Sequence, residues 1–408
     1  MRFLAALALA GAAMAQATHP VTTFDVTWTN MTGQGSPVLA SRVFMPNCKL
    51  AADDVVLPSA PSTASAQSAA MGAVGMPPRG WPTIVFLHGF GLQGRQYGRL
   101  LTSIARCGFV VIAPDTAVYD YVNLTCDAIA NLDAARVASG DPASPLHGAI
   151  DPGRIGVAGH SMGAACMALA MPSNPGFRCA YAFAPVSPFG FLPALIDVPV
   201  GVVVGGGDVV TSWQQHAQPF YAQSTPVSGV KMIHLLAASS THLSVAGLAG
   251  ATPDFARAAD ICTGFFQHFL GVDDGGMERC LGPAVFADPV VASHEQTVVQ
   301  ARIWSSSPLR VGQTSRMSVA AAPGISVILV ADQLVAGLPT PLGMLMLDPA
   351  TAFTWAVGMD PRGRRMDAPL AVPSTATLVG LSLAMQPLAP TAAAPFGFGS
   401  ATGLVVVR

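Results

Sequence analysis

The stretch Gly159-His160-Ser161-Met162-Gly163 constrains this chain more than any other. It follows the apolar run Ile155 to Ala158 and precedes the helix-forming run Ala164 to Ala170. Strand, glycine-flanked corner and helix in that order describe a tight turn that lifts a serine hydroxyl clear of a sheet. Glycine suits both outer positions because backbones crowd at such a corner and a Cβ would clash. Ser161 is therefore the candidate nucleophile. The rest of the chain must supply a base, a group that orients it, and donors for an oxyanion.

Short apolar runs alternate with helical patterns around this corner. Thr83 to Leu87, Phe109 to Ala113, Tyr181 to Phe183, Val200 to Val204 and Lys231 to Leu236 read as strands. Arg95 to Arg106, Val122 to Ala138 and Phe255 to Phe269 read as helices. That alternation predicts a mostly parallel sheet covered on both faces. Val21 to Trp28 and Val38 to Met45 read as an opening hairpin, and residues 50–79, rich in Ala, Ser, Pro and Gly, as a surface insertion. From about residue 285 helical periodicity gives way to short runs such as Val298 to Trp304, Met317 to Ala321 and Ser326 to Val330, separated by turn residues. Their spacing predicts a small all-β sandwich. The expected plan is an α/β catalytic domain over 16–282, a linker over 283–295 and a β-sandwich over 296–408.

In a sheet of this kind, catalytic groups stand at the carboxyl ends of strands in the order nucleophile, acid, histidine. Two carboxylates follow Ser161 in the next strand-helix units, Asp197 and Asp208. Asp197 precedes the strand Val200 to Val204, at its wrong end, whereas Asp208 follows it after Gly205-Gly206-Gly207. Of the histidines, His216 falls in a helical pattern and His234 inside a strand, which leaves His242 in the loop Ala238 to Ser244. The expected triad is Ser161, Asp208 and His242. The backbone N–H groups of Met162 and Phe90 are the expected oxyanion donors, Phe90 lying in the glycine loop His88-Gly89-Phe90-Gly91. Gly89, Phe90, His160 and Trp213 are expected to contact substrate.

Only 10% of the 408 residues are charged and the net charge is −2, which argues against nucleic acid as a partner. Met1-Arg2, the apolar run Phe3 to Ala13 and Ala13-Met14-Ala15 read as a signal peptide over 1–15, so export to a secreted or periplasmic location is expected. No later run is long enough for a transmembrane anchor. In an exported chain the seven cysteines suggest disulfides. Cys262 and Cys280 bracket the end of a helix and the segment leaving the domain, and are the preferred pair. Cys107 with Cys126 comes second, and Cys166 reads as a buried free thiol. No metal cluster or phosphate loop is evident, and neither metal nor cofactor is expected.

Pro82 to Phe90, Gly108 to Thr116, Asp151 to Gly163 and Ser240-Thr241-His242 together resemble the bacterial polyester hydrolase (PET hydrolase) and cutinase family, with kinship to chlorophyllases and dienelactone hydrolases. The resemblance covers about residues 80 to 282. It implies the α/β-hydrolase fold, a serine esterase mechanism through Ser161, His242 and Asp208, and a disulfide between Cys262 and Cys280 like that family's C-terminal one. The chain departs from the family at two places. Ala184-Pro185-Val186-Ser187-Pro188 lacks the tryptophan that polyester enzymes carry after this strand, and His88-Gly89 stands where Pro-Gly is usual. The C-terminal stretch resembles a β domain appended to exported bacterial proteins. The expected function is a secreted, monomeric serine ester hydrolase acting on a small-molecule or polymeric ester. Two other classes stay open: a non-catalytic surface adhesion protein that retains the fold, and an amidase or peptidase using the same triad.

Overall fold

The computed structural model describes residues 19–407, apart from 31, 48–76, 78, 116–119, 175, 188–189, 274, 306–308, 360–363, 376–377, 391 and 393–395. The expected signal peptide lies outside the described residues, as does the expected insertion except for Pro77 and Arg79.

The chain opens with an antiparallel hairpin, β1 (Val21–Thr29) and β2 (Val38–Pro46). Strands and helices then alternate: β3 (Trp81–Leu87), α1 (Gly98–Arg106), β4 (Val110–Pro114), α2 (Tyr121–Gly140), β5 (Ile150–His160), α3 (Met162–Ala170) and β6 (Phe177–Phe183). The alternation continues through β7 (Val200–Val204), α4 (Gln218–Gln223), β8 (Val230–Leu236) and α5 (Pro253–Phe269). Two short helices, α6 (Gly276–Leu281) and α7 (Pro283–Phe286), lead into β9 (Val291–Val298). All nine strands form one mixed sheet in the order β1-β2-β4-β3-β5-β6-β7-β8-β9, parallel from β4 through β8.

Burial explains the sequence pattern. Every residue of β3, β4 and β7 is buried, so these strands run apolar without alternation. Helix α1 turns Leu100, Leu101 and Ile104 inward and shares one face of the sheet with α5 and α6, while α2, α3 and α4 cover the other. The long helices start at side-chain caps: Asp120 accepts from Asn123 N–H at 2.8 Å, and Thr252 from Phe255 N–H at 3.3 Å with Pro253 just inside.

Residues 283–295, expected as a linker, hold α7 and most of β9. Strand β9 pairs antiparallel with β8 from Val230 opposite Val298 to Leu236 opposite Val291. Without it β8 would present an unpaired edge. The sheet region beyond it comprises β10 (Arg302–Ser305), β11 (Leu309–Arg310), β12 (Thr314–Ala320), β13 (Ile325–Ala331), β14 (Leu334–Thr340), β15 (Gly343–Leu347), β16 (Phe353–Gly358), β17 (Arg364–Ala371), β18 (Ser382–Ala389), β19 (Gly397–Phe398) and β20 (Thr402–Val407). A β10-β12-β17 sheet and a β11-β20-β18-β13-β16 sheet share a core of Ile303, Met317, Val319, Ile328, Val330 and Met385. This region is fastened to the nine-stranded sheet by Trp304. Its ring is buried in the larger core and its Nε1–H donates to Glu278 of α6 at 3.2 Å.

The disulfide expectations are not met among the described residues. Cys262 and Cys280 are buried and not bridged, and Cys107, Cys126, Cys166 and Cys179 form no disulfide either. The Cys280 thiol donates instead to the Ile261 carbonyl at 3.2 Å, and that of Cys107 to the Ser103 carbonyl at 3.3 Å. Burial pushes the Cys280 and Cys262 thiols well above their ordinary pKa, so both pack as neutral apolar groups.

Candidate active site

Five connecting segments meet at the carboxyl ends of the parallel strands. Register pairs Leu87 of β3 with Gly159 of β5, and His160 with Phe183 of β6, so the segments after β3, β5 and β6 leave the sheet side by side. Ser161 sits between β5 and α3 with φ 55° and ψ −119°, a backbone conformation costing about 1–3 kcal/mol for a non-glycine residue. Its neighbours hold it there. Ser161 N–H donates to Phe183 O at 2.9 Å, and Ser161 O accepts from Ala164 N–H at 3.0 Å and Val186 N–H at 3.2 Å. The flanking glycines are obligatory. A Cβ on Gly159 would lie 2.3 Å from the Gly163 carbonyl oxygen, and one on Gly163 would lie 2.1 Å from that of Leu87.

The loops after β7 and β8 are packed together by the same logic. Cβ atoms on Gly205 and Gly207 would fall 2.3 Å from the carbonyl oxygens of Ser240 and Ala238 respectively. This contact brings Asp208 to His242, whose Nδ1 lies 2.9 Å from Asp208 Oδ2. Oδ1 accepts from Val210 N–H at 2.9 Å and Thr211 N–H at 2.8 Å. Burial raises the Asp208 pKa, but the bonds from His242 and Thr211 outweigh it and the net shift is downward. The carboxylate is thus charged and its lone pairs are directed. Asp197 is exposed at the opposite end of β7.

Thr211 is a member that sequence reasoning missed. Its hydroxyl oxygen lies 2.8 Å from Asp208 Oδ2, 3.1 Å from His242 Nδ1 and 3.0 Å from Ala184 O. It therefore ties the acid and the imidazole to the loop after β6. His216, passed over in the sequence, accepts from Ser187 N–H at 3.2 Å and steadies that loop. His234 is a core residue donating to the Cys280 carbonyl at 2.9 Å.

His160, expected to contact substrate, is fully buried. Its Nδ1 lies 2.8 Å from the Tyr97 hydroxyl and its Nε2 lies 3.0 Å from the His242 carbonyl oxygen. Its ring stands 4.6 Å from that of His242. Burial lowers its pKa to about 3, so it is neutral. Gly89 is also enclosed: a Cβ there would lie 3.3 Å from Ser161 Cβ. The next residue, Phe90, is exposed. Met162 is the first residue of α3, where backbone N–H groups lack intrahelical partners. Trp213 is half-buried against the core on the α4 side.

Among the described residues no group of three or more His, Cys, Asp or Glu side chains could hold a metal ion, and no helix is long and apolar enough to cross a membrane.

A PET hydrolase-like family model matches residues 80–252. A bis(hydroxyethyl) terephthalate hydrolase of Streptomyces coelicolor (strain ATCC BAA-471 / A3(2) / M145) is 31% identical over 166 residues, which cover 40% of this chain and 50% of that protein. The chain thus spans about half the length of the curated relative it matches. The corner at Ser161, the Asp208 to His242 contact and the glycine loop after β3 all fall inside the stretch that is similar to the PET hydrolase-like family.

Proposed function

We propose that this protein is an exported serine ester hydrolase of the α/β-hydrolase fold, with Ser161 as nucleophile, His242 as base and Asp208 as its orienting acid. The observation that carries the reading is the strained Ser161 corner set at the same sheet end as the hydrogen-bonded Asp208 and His242. Asp208 fixes the Nδ1–H tautomer of His242, which leaves Nε2 free to take the Ser161 hydroxyl proton. The serine oxygen then bonds to the ester carbon. His242 returns the proton to the departing alcohol, leaving an acyl-enzyme, and water admitted through the same base releases the acid. Phe90 N–H and Met162 N–H serve as donors to the carbonyl oxygen as it gains charge.

Apolar side chains flank each position. Phe90 follows Gly89, Val209 and Val210 follow Asp208, and Leu243 follows His242, all of them exposed. Val186, whose N–H bonds to Ser161 O, stands in the loop where a tryptophan is lacking. This rim favours uncharged, apolar esters over charged ones. The relative's named substrate, bis(hydroxyethyl) terephthalate, is the first candidate beside short-chain aliphatic esters.

The test is turnover of p-nitrophenyl esters of rising chain length and of bis(hydroxyethyl) terephthalate, with fluorophosphonate labelling. We expect labelling at Ser161 and its loss, together with turnover, in Ser161→Ala. Turnover retained in that variant would sink the assignment, and an unlabelled, inactive wild type would favour a non-catalytic binding role.

A further inference from the structure

We propose that Tyr97 is a positioning residue that locks the oxyanion peptide Gly89-Phe90 and the loop carrying His242 into one register. The proposal rests on the serine hydrolase reading above.

The polarity of the connection is forced at each link. The His242 carbonyl can only accept, so His160 carries its proton on Nε2 and donates across 3.0 Å. Nδ1 of His160 is then an acceptor, and the Tyr97 hydroxyl 2.8 Å away must donate to it. The Tyr97 oxygen in turn accepts from Gly89 N–H at 2.8 Å. Tyr97 and His160 are fully buried, and burial also pushes the phenol pKa up, so the hydroxyl keeps its proton. One hydroxyl therefore satisfies two buried groups that solvent does not reach.

The geometric consequence falls on the peptide that bears Phe90 N–H. Its carbonyl, that of Gly89, accepts from His88 Nδ1–H at 2.9 Å and Leu92 N–H at 3.1 Å. Because a peptide is planar, those bonds aim Phe90 N–H on its other side. Tyr97 fixes the preceding amide of Gly89 and so closes the frame. A Cβ on Gly89 would lie 3.1 Å from His160 Nδ1 and 3.2 Å from the Tyr97 hydroxyl, so the peptide rests directly against this chain. Tyr97 itself comes from the short turn before α1, 63 residues from His160.

The experiment uses the full-length protein with active sites counted by fluorophosphonate. In Tyr97→Phe we expect kcat per counted site to fall about tenfold, with KM changed less than about twofold. The inhibition constant of an alkyl boronic acid, which forms a tetrahedral serine adduct, rises by the same factor as kcat falls. A purely structural role would lower the number of competent sites and leave both quantities per site unchanged, and that result overturns the proposal. A second measurement needs no variant. Long-range proton–nitrogen NMR of the wild type is expected to show His160 as the Nε2–H tautomer, without titration between about pH 5 and 9. An Nδ1–H tautomer would reverse the connection and overturn the proposal. A wild type that neither labels nor turns over esters removes the hydrolase reading, while the tautomer still reports on the register itself.

Discussion

Asp208 is held by more than His242, and the two kinds of support should separate in mutants. Asp208→Asn keeps the shape but removes the charge and offers His242 the wrong partner at Nδ1. The expected loss in kcat is about 10³–10⁴-fold. Thr211→Val removes the hydroxyl shared by Asp208 Oδ2, His242 and Ala184 while leaving the Thr211 N–H bond to Oδ1. Loss of one such hydrogen bond corresponds to roughly tenfold. Steady-state turnover of p-nitrophenyl butyrate by both variants checks the order, and equal losses would refute it. At this scale the sequence was readable where position along a strand decides the matter. Asp197 and Asp208 differ by which end of β7 they occupy, and that is visible in the apolar run between them. Thr211 and Tyr97 were not readable in the same way. Each acts through a contact made only when separate loops close on one another, and neither belongs to a motif with fixed spacing. His160 reads as a substrate contact because it stands beside the nucleophile, whereas the structure shows its ring buried and bonded to Tyr97 and the His242 carbonyl.

Strand β9 decides where the chain can be cut. It carries polar side chains at five of its eight positions, so its own sequence gives only a weak strand signal. What makes it a strand is the unpaired edge of β8, a property of a different segment. The pairing runs the length of β8, and Val299 and Gln300 N–H groups both donate to Gly229 O just beyond it. A chain ending at residue 300 keeps this ladder, whereas one ending at residue 287 exposes the backbone of a central-sheet strand. The first is expected to stay folded with ester turnover within about threefold of the full chain, but at a lowered thermal stability because the buried Trp304 ring is lost from the core. The second is expected to aggregate, since bare edges pair intermolecularly. Size-exclusion chromatography and turnover of the two truncations check this, and a soluble, active protein ending at 287 would show β9 to be dispensable. The strands and helices of the alternating region were legible because burial on both faces leaves runs such as Val200–Val204 that admit one reading.

Taken as a whole, the fold couples its stability to pH most strongly through two of its buried histidines, His160 and His234, which burial holds neutral. Burial lowers His160 to about 3 and His234 to about 4, against 6.5 in an exposed chain. Between those values the unfolded chain binds protons that the folded one does not. The stability contributed by keeping these rings neutral is therefore complete above about pH 6.5 and falls as the solution is acidified. At pH 5 the difference from 6.5 is about 1.5 units for each ring, or about 2 kcal/mol each. Together this is about 4 kcal/mol, a large share of the 5–15 kcal/mol typical of folded domains. Asp208 acts at lower pH: its lowered pKa contributes stability that is present above about 3.8 and lost as pH falls through the folded value. Urea unfolding at about pH 7.5 and 5.0 is expected to show the midpoint moving to lower urea on acidification, with no contribution from these groups between about pH 7.5 and 8.5. His234→Gln, which keeps a donor toward the Cys280 carbonyl, should remove about half of that drop. A midpoint that stays constant from pH 7.5 to 5.0 in the wild type would mean that one or both rings are already charged in the folded protein. For His160 that outcome would also place a second proton on Nδ1, in direct conflict with a Tyr97 hydroxyl that donates to it.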